Sequence, residues 1–360
     1  MIGFLQSAFF LVVPLMVVIT LIITVHELGH FAAGRLFGVA IDRFSIGFGR
    51  ALASWRDRRG VEWRIGWAPL GGYVRFALDE TVASVPDIND LEAMRTRIVA
   101  REGAGAELRY HPFKPLWQRA AISFAGPLAN FVLAAALFSL LFATVGEAVS
   151  PFKVGAVEGG SPAARAGFQI GDRIVAANGR TLPGYFDLKS YLAYRYDVPM
   201  TFDVERAGRT IQLRATPAPV NSASGFGWDQ TEGVLGVAIA RDGPWGFHRL
   251  DPLSAVARGT SQTWDVISTT VFELARVATG KASFDQFHGV VGMARVSGAI
   301  TQRAIAEAPP DLGDKVAGVL VTLISFTGLL SVGIGIMNLL PLPILDGGHL
   351  LFYAYEALAK

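Results

Sequence analysis

Three long runs of apolar residues dominate the hydropathy pattern of this chain. Residues 1–25, 120–146 and 316–345 contain no Asp, Glu, Lys or Arg. A helix needs about 20 apolar residues to cross the hydrocarbon core of a bilayer, so each run is long enough to span one. The pattern therefore predicts three transmembrane helices, in residues 1–38, 118–146 and 316–348.

Alternating patterns follow the first apolar run. Apolar and aromatic residues alternate with polar ones and with glycines in 44–50, 61–67 and 71–76, which is typical of short strands and hairpins. Residues 77–112 are polar and are predicted to form a loop with one short helix. We therefore expect residues 39–117 to hold β elements and a polar loop on the cytoplasmic side of the membrane.

The stretch between the second and third runs reads as a small soluble domain at 151–240. Its predicted elements are a helix, a turn and a strand in 161–179, a strand pair in 201–205 and 210–215, a loop in 218–231 and a strand in 233–240. Residues 241–315 are expected to be mainly amphipathic helix that leads back to the membrane. Residues 349–360 are too few for another span and are predicted to start a fourth helix.

Composition agrees with a membrane protein. Hydrophobic residues make up 51% of the 360 residues, charged residues only 17%, and the mean hydropathy is +0.39. The net charge of +2 is too small to imply a nucleic-acid partner. The chain has no cysteine, which excludes disulfides and thiolate zinc sites.

The distribution of basic residues predicts the orientation. Lys114 and Arg119 precede the second run, and seven arginines closely follow the first: Arg35, Arg43, Arg50, Arg56, Arg58, Arg59 and Arg64. Basic residues beside membrane spans favour the cytoplasmic face. Residues 39–117 are therefore expected inside and residues 151–240 outside. The first run lacks the positive start of a signal peptide, and cleavage would sever the motif that follows it.

That motif is His26-Glu27-Leu28-Gly29-His30, an HExxH pattern. On a helix, two histidines at i and i+4 share one face and can bind zinc, while the glutamate acts as the general base of a metalloprotease. The pattern also occurs by chance, with histidines that bind no metal. Its place at the end of an apolar run favours a functional site, because ionisable residues inside a membrane are costly.

A second motif supplies a third ligand. Asn338-Leu-Leu-Pro-Leu-Pro-Ile-Leu-Asp346-Gly-Gly-His349 ends the third run. Catalytic zinc uses three protein ligands and one open position, so Asp346 is the natural partner of the two histidines. Pro341 and Pro343 break helical structure, and irregular backbone at membrane depth requires a protein-lined or wet cavity.

The second run contains Ala125-Gly-Pro-Leu-Ala-Asn130. Its small residues permit close helix packing. We interpret Asn130 as a hydrogen-bonding residue between helices rather than a catalytic one. His349 is interpreted as a packed or interfacial histidine, and neither it nor His111 is expected to bind the metal.

Taken together, HELGH, AGPxxN, the segment Ala166-Gly-Phe-Gln-Ile-Gly-Asp-Arg-Ile174 and NxxPxPxLDGG resemble the site-2 protease family of intramembrane zinc metalloproteases, in its bacterial RseP type. The resemblance covers nearly the whole chain. It implies an α+β polytopic membrane protein: a transmembrane helical zinc-protease core with membrane-associated β-hairpins and one inserted PDZ-like domain.

The same resemblance implies roles for individual residues. His26, His30 and Asp346 would bind Zn²⁺, and Glu27 would be the general base. Asn338 and the strand residues Gly71, Gly72, Tyr73 and Val74 would contact the substrate.

It also implies a setting: the bacterial inner membrane, with several spans and the PDZ-like domain in the periplasm. The partners would be membrane lipid and single-span membrane proteins, such as an anti-sigma factor, cut after a first extracytoplasmic cleavage.

Two other functions fit parts of the sequence. One is a non-catalytic membrane scaffold that binds partners through the PDZ-like domain, although a scaffold needs no base at Glu27. The other is a zinc protease that acts on soluble peptides outside the cell. About 25 residues precede His26, and at roughly 1.5 Å each they place the metal toward the cytoplasmic side. That position disfavours a protease of external soluble peptides.

Overall fold

The computed structural model describes residues 2–78, 88–149, 153–182, 184–223, 229–240, 246–281 and 312–359. The chain divides into two compact units. The first comprises residues 1–139, 256–270 and 290–360, and the second comprises residues 140–255 and 271–289.

The α-helices of the described residues are α1 (Ile2–Leu36), α2 (Ile88–Glu102), α3 (Leu116–Thr144), α4 (Pro162–Ala166), α5 (Tyr185–Ala193), α6 (Pro252–Ala278), α7 (Leu312–Asn338) and α8 (Asp346–Ala359). The strands are β1 (Ile41–Arg56), β2 (Glu62–Phe76), β3 (Glu147–Val149), β4 (Val154–Val157), β5 (Arg173–Ala177), β6 (Arg180–Thr181), β7 (Met200–Arg206), β8 (Arg209–Ala215), β9 (Ala218–Ala223), β10 (Asp229–Val234), β11 (Val237–Ile239) and β12 (Gly246–His248).

Three of the described helices are long and apolar enough to cross a membrane: Val13–Leu36, Leu116–Thr144 and Val316–Asn338. They confirm that the three apolar runs form long helices, and their crossing of a membrane stays a prediction. The predicted range 316–348 contains most of α7, an irregular segment and the start of α8.

The hairpin region of the first unit differs from the prediction of three short strands. It consists of two long strands, β1 and β2, that pair with each other. The first half of β1 is flanked by both ends of β2, since Phe44 pairs with Val74 and with Trp63. Gly47 and Gly71 adopt positive φ angles of 79° and 148°, so the strands bend there instead of ending. Glycine was thus an unreliable mark of a strand end here.

This hairpin packs on α1. Phe31 of α1 lies in a buried apolar cluster with Phe44, Val61 and Val74, and its ring contacts that of Phe44 edge to face with the centroids 5.4 Å apart. Burial of these side chains fixes the hairpin beside the HExxH turn of the helix.

The second unit is built on a four-stranded sheet in the order β6-β5-β7-β8. Its core is formed by buried apolar side chains: Phe168, Ile174, Leu188, Leu192, Phe202, Val204 and Leu235. The helix and strand predicted in 161–179 are confirmed as α4 and β5, and the predicted strand pair is confirmed as β7 and β8. Ala207 and Gly208 have φ angles of 48° and 76°, as a tight two-residue hairpin turn requires.

The predicted loop at 218–231 is wrong. Residues 218–223 form β9, which pairs with β10 from Asp229↔Ala223 to Val234↔Ala218. Cross-strand hydrogen bonds outweigh the weak strand preference of the Pro, Ser and Gly residues there. The single strand predicted at 233–240 is interrupted at Gly236, which has a φ of 76°, and continues as β11.

The amphipathic helix expected in 241–315 is confirmed as α6, whereas residues 246–248 form the short strand β12. Asp251 caps this helix by accepting hydrogen bonds from the N–H groups of Leu253 and Ser254. Residues 282–311, which complete the predicted helical region, lie outside the described residues.

Candidate metal centre and active site

The first unit brings the three predicted zinc ligands together. His26 and His30 lie one turn apart on α1, and Asp346 is the first residue of α8. Nε2 of His26 lies 3.1 Å from Nε2 of His30 and 3.1 Å from Oδ2 of Asp346. Nε2 of His30 lies 3.4 Å from Oδ1 of Asp346.

These distances fit a zinc ion. Ligands about 2.0–2.1 Å from a tetrahedral Zn²⁺ are about 3.3–3.4 Å from one another. Nδ1 of His30 lies 2.8 Å from the carbonyl oxygen of Ile122, so in the neutral ring Nδ1 carries the proton and Nε2 presents a lone pair. A carboxylate and two imidazole lone pairs that converge this closely suit a metal cation between them. Two histidines and one carboxylate are also a ligand set of catalytic zinc.

Small residues make this convergence possible. A side chain on Gly29 would collide with the carbonyl oxygen of Ala125 on α3, so α1 and α3 cross in close contact. A Cβ on Gly126 would lie 2.8 Å from Cε1 of His26 and would also strike Nε2 of His30. Gly126 therefore leaves the space in which the two imidazoles sit, and the close packing predicted for the AGP segment is confirmed.

Asp346 is placed by a break between two helices. α7 ends at Asn338, and the segment that contains Pro341 and Pro343 leads to the start of α8. A Cβ on Gly347 would strike the carbonyl oxygen of Leu339, so the two glycines after Asp346 let the irregular segment pack against the first turn of α8. The prolines prevent a continuous helix, and the glycines bring the carboxylate to the histidines.

Glu27 is held by the hairpin. Its Oε2 accepts a hydrogen bond of 3.0 Å from the backbone N–H of Val74 on β2. A Cβ on Gly72 would lie 3.7 Å from Cγ of Glu27. The strand predicted to contact substrate thus lies against the predicted base, and one of its N–H groups orients that carboxylate.

The substrate roles of Asn338, Gly71, Gly72, Tyr73 and Val74 stay predictions. Nδ2 of Asn338 donates a 3.1 Å hydrogen bond to the carbonyl of Ile334 at the end of α7. The hydroxyl of Tyr73 accepts a 3.3 Å hydrogen bond from Arg43.

The remaining histidines near these motifs pack against aromatic rings. His349 stacks on Tyr353, with ring centroids 6.4 Å apart, and His111 stacks on Phe76 at 5.2 Å. Burial lowers the pKa of His111 to about 4, which keeps the ring neutral. Of the described residues, only His26, His30 and Asp346 group closely enough to hold a metal.

Sequence reasoning underestimated Asn130. It is fully buried on α3, and Nδ2 lies 3.3 Å from Nδ1 of His26. The predicted hydrogen bond between helices exists, but it is made to a candidate zinc ligand. The spacing holds a signal that could have found it: Asn130 follows Gly126 by four residues and therefore shares its helix face.

The fold and site define a membrane-associated metalloprotease, and the chain belongs to peptidase family M50, the site-2 proteases, whose profile it matches over residues 14–360. It is 48% identical to the metalloprotease MmpA of Caulobacter vibrioides, with 100% of this chain and 89% of that protein aligned. It is 38% identical to a protein of Rhizobium meliloti that is named as a zinc metalloprotease, with 94% of this chain and 85% of that protein aligned.

These similarities favour a protease over the non-catalytic scaffold. A zinc metalloprotease is the class of protein that the family and the relatives support, whereas a non-catalytic scaffold needs neither a ligand set nor a base. The protein is therefore a zinc metalloprotease with three membrane-compatible helices among its described residues.

Proposed function

We propose that this zinc metalloprotease is an intramembrane endopeptidase that cleaves transmembrane segments of single-span membrane proteins. One observation carries the proposal: His26, Glu27 and His30 lie within the apolar helix Val13–Leu36. Asp346 follows a second such helix after a short break. A protease of soluble peptides has no need to place its ligands on membrane-compatible helices, where ionisable groups are costly.

His26, His30 and Asp346 would hold the zinc, which supplies Lewis-acid activation of a water molecule and of a peptide carbonyl. Glu27 would accept the proton of the attacking water and pass it to the leaving amine. The hydrogen bond from the Val74 N–H orients one carboxylate oxygen, and the other would take part in this proton transfer.

The hairpin would present the substrate. A transmembrane helix satisfies its backbone hydrogen bonds internally, so a segment must unwind before its peptide bond can be attacked. An extended segment can add to a strand edge, where main-chain hydrogen bonds hold it. We assign this role to residues 71–74, because the Val74 N–H donates to the carboxylate of Glu27 and Gly72 lies beside the Glu27 side chain. We assign a further substrate contact to Asn338.

The biological substrate class would be a membrane protein already trimmed by a first extracytoplasmic cut, of the anti-sigma factor type, in a bacterial inner membrane. The second unit would be the PDZ-like domain, in the periplasm. Its α4–β5 segment, the β7–β8 hairpin and the pairing of β11 with β4 support this proposal. It would either exclude untrimmed substrates or recruit trimmed ones.

The orientation can be tested because the chain has no natural cysteine. Ser190 on α5 and Ala93 on α2 are both exposed helix residues. In intact cells, Ser190→Cys should react with a membrane-impermeant thiol reagent after passage through the outer membrane, while Ala93→Cys should react only after lysis. The reverse labelling would overturn the proposed topology.

The proteolytic proposal is tested with purified protein and a panel of single-span membrane peptides, alongside soluble peptides that contain the same extramembrane sequences. We expect zinc-dependent cleavage inside the membrane segments, lost on chelation and restored by zinc. Cleavage of the soluble peptides alone would contradict an intramembrane site while leaving the metalloprotease class intact.

A further inference from the structure

Asn130 has an arrangement that the reaction outlined above does not use. Its side chain is fully buried beside His26, with Nδ2 3.3 Å from Nδ1 of the imidazole. Oδ1 of Asn130 is buried and has no hydrogen-bond partner among the described residues. The nearby hydroxyl of Ser331 donates instead to the backbone carbonyl of Asn130, at 2.9 Å.

The chemistry of a zinc-bound imidazole decides which end of this amide faces His26. When Nε2 binds the metal, Nδ1 carries the proton and must donate to an acceptor. An NH₂ group cannot accept that hydrogen bond, but the amide oxygen can. Rotation of the amide by 180° exchanges its two ends with little change in shape. Only the orientation with Oδ1 toward Nδ1–H is compatible with metal on Nε2.

Nδ1–H of each ligand histidine then donates to an oxygen of α3, but the two acceptors differ. Nδ1 of His30 lies 2.8 Å from the backbone carbonyl of Ile122. Nδ1 of His26 faces a side chain, Asn130, at the same interface of α1 with α3. A carbonyl-type oxygen would thus fix the tautomer of each imidazole, and α3 would supply both.

We propose that Asn130 is a positioning residue of the zinc site: its Oδ1 accepts a hydrogen bond from Nδ1–H of His26 and holds Nε2 toward the metal. The inference rests on the assignment of His26, His30 and Asp346 as zinc ligands, and it does not depend on which substrate is cleaved. Loss of such an outer partner typically weakens metal binding by about 10–100-fold.

The test measures zinc affinity of the purified full chain in detergent by competition with a chelator of known affinity. Asn130→Leu keeps a similar volume but offers no acceptor, and should weaken zinc binding by about 10–100-fold. Asn130→Asp offers only acceptor oxygens and should bind zinc at least as tightly as the parent. Ser331→Ala is the matched control: it removes the buried hydrogen bond to the Asn130 backbone and should leave zinc affinity within about twofold of the parent's.

Two results would overturn the inference: parental zinc affinity in Asn130→Leu, or an Asn130→Asp variant about tenfold weaker than the parent. The second comparison remains decisive if the leucine variant does not fold. His30→Ala separates this inference from the ligand assignment. Retention of zinc in His30→Ala would refute the assignment, whereas its loss there with full affinity in Asn130→Leu would refute only the role of Asn130.

Discussion

Asp172 and Asp346 are carboxylates largely withdrawn from solvent, one in each unit, and they differ in what surrounds them. Both oxygens of Asp172 receive N–H donors, from Nε and Nη2 of Arg206 at 2.7 Å and from the backbone of Gln169 at 2.8 Å. The oxygens of Asp346 face imidazole nitrogens at 3.1 Å and 3.4 Å. One group has a complete set of donors, and the other faces lone pairs when its histidines are neutral.

The difference shows how a structural carboxylate can be told from a ligand. Asp172 is neutralised by a guanidinium and stabilises the turn before β5, so its contribution is to folding. Asp346 contributes negative charge to a set of acceptors that is satisfied by a metal cation. Residue type is the same in both cases, and the partners decide the function.

The largest effect is expected at Glu27, which lies beside the candidate zinc ligands. Glu27→Gln keeps the volume and the hydrogen bond from Val74 but cannot accept a proton. Proteolysis should fall by about 10²–10⁴-fold while zinc content stays at the parental value. The check is the initial rate of peptide cleavage together with zinc per chain; appreciable turnover would remove Glu27 as the base.

On the structural side, Asp172→Ala should destabilise the second unit. Breaking a fully buried ion pair costs roughly 3–5 kcal/mol, and we expect about 2–3 kcal/mol here because Arg206 is partly exposed and can be rehydrated. Thermal unfolding in detergent measures the change. An unchanged unfolding midpoint would show that the complete ion pair is not what stabilises this turn.

The same ion pair has a defined pH dependence. Burial alone would raise the pKa of Asp172, but hydrogen bonds from Arg206 and Gln169 outweigh it and leave the pKa below the ordinary value of 3.8. A depressed carboxyl pKa stabilises the fold above the unfolded pKa and loses that contribution as pH falls through the folded pKa. The destabilisation in Asp172→Ala should therefore be full at neutral pH and shrink below about pH 4.

A smaller effect is expected where small residues make room for the ligands. Gly126→Ala would push a methyl group into the rings of His26 and His30, at a cost of about 1–3 kcal/mol. Zinc affinity should fall. Gly333→Ala on α7 is the control, since a Cβ there meets nothing within 4 Å. Equal zinc affinity in both variants would contradict the role of Gly126.

The smallest effect is expected at Glu273, a carboxyl of the second unit. Its surroundings raise its pKa, whereas those of Asp172 lower the pKa of that carboxyl. Burial raises the pKa of Glu273 to about 7, even though Arg195 and Arg276 lie nearby and lower it. Stability is then lost as pH rises from the ordinary value of 4.5 to about 7, because the unfolded state releases the proton first.

Glu273→Gln removes this penalty. Relative to the parent, the variant should gain on the order of 1 kcal/mol of stability at pH 8 and little at pH 4. Unfolding midpoints at the two pH values measure the difference. A gain that is the same at both would show that the titration of Glu273 does not contribute.

The elements and site residues that short-range sequence patterns determine could be predicted. Uncharged apolar runs identified α1, α3 and α7, and motif spacing identified His26, His30 and Asp346. The contact of Asn130 with His26 depends on how two helices cross, which no local pattern contains. The strand β9 was missed because its pairing with β10, not its own composition, determines its structure.

Zinc content of Asp346→Ala and Asp172→Ala, measured by elemental analysis beside their unfolding midpoints, is the decisive test of the metal centre. We expect about one zinc per chain in the parent, most of it lost in Asp346→Ala with the second unit still folded. In Asp172→Ala the folded protein should keep its zinc while the unfolding midpoint falls. Parental zinc content in Asp346→Ala would contradict the assignment of this carboxylate, and with it the metal centre described here.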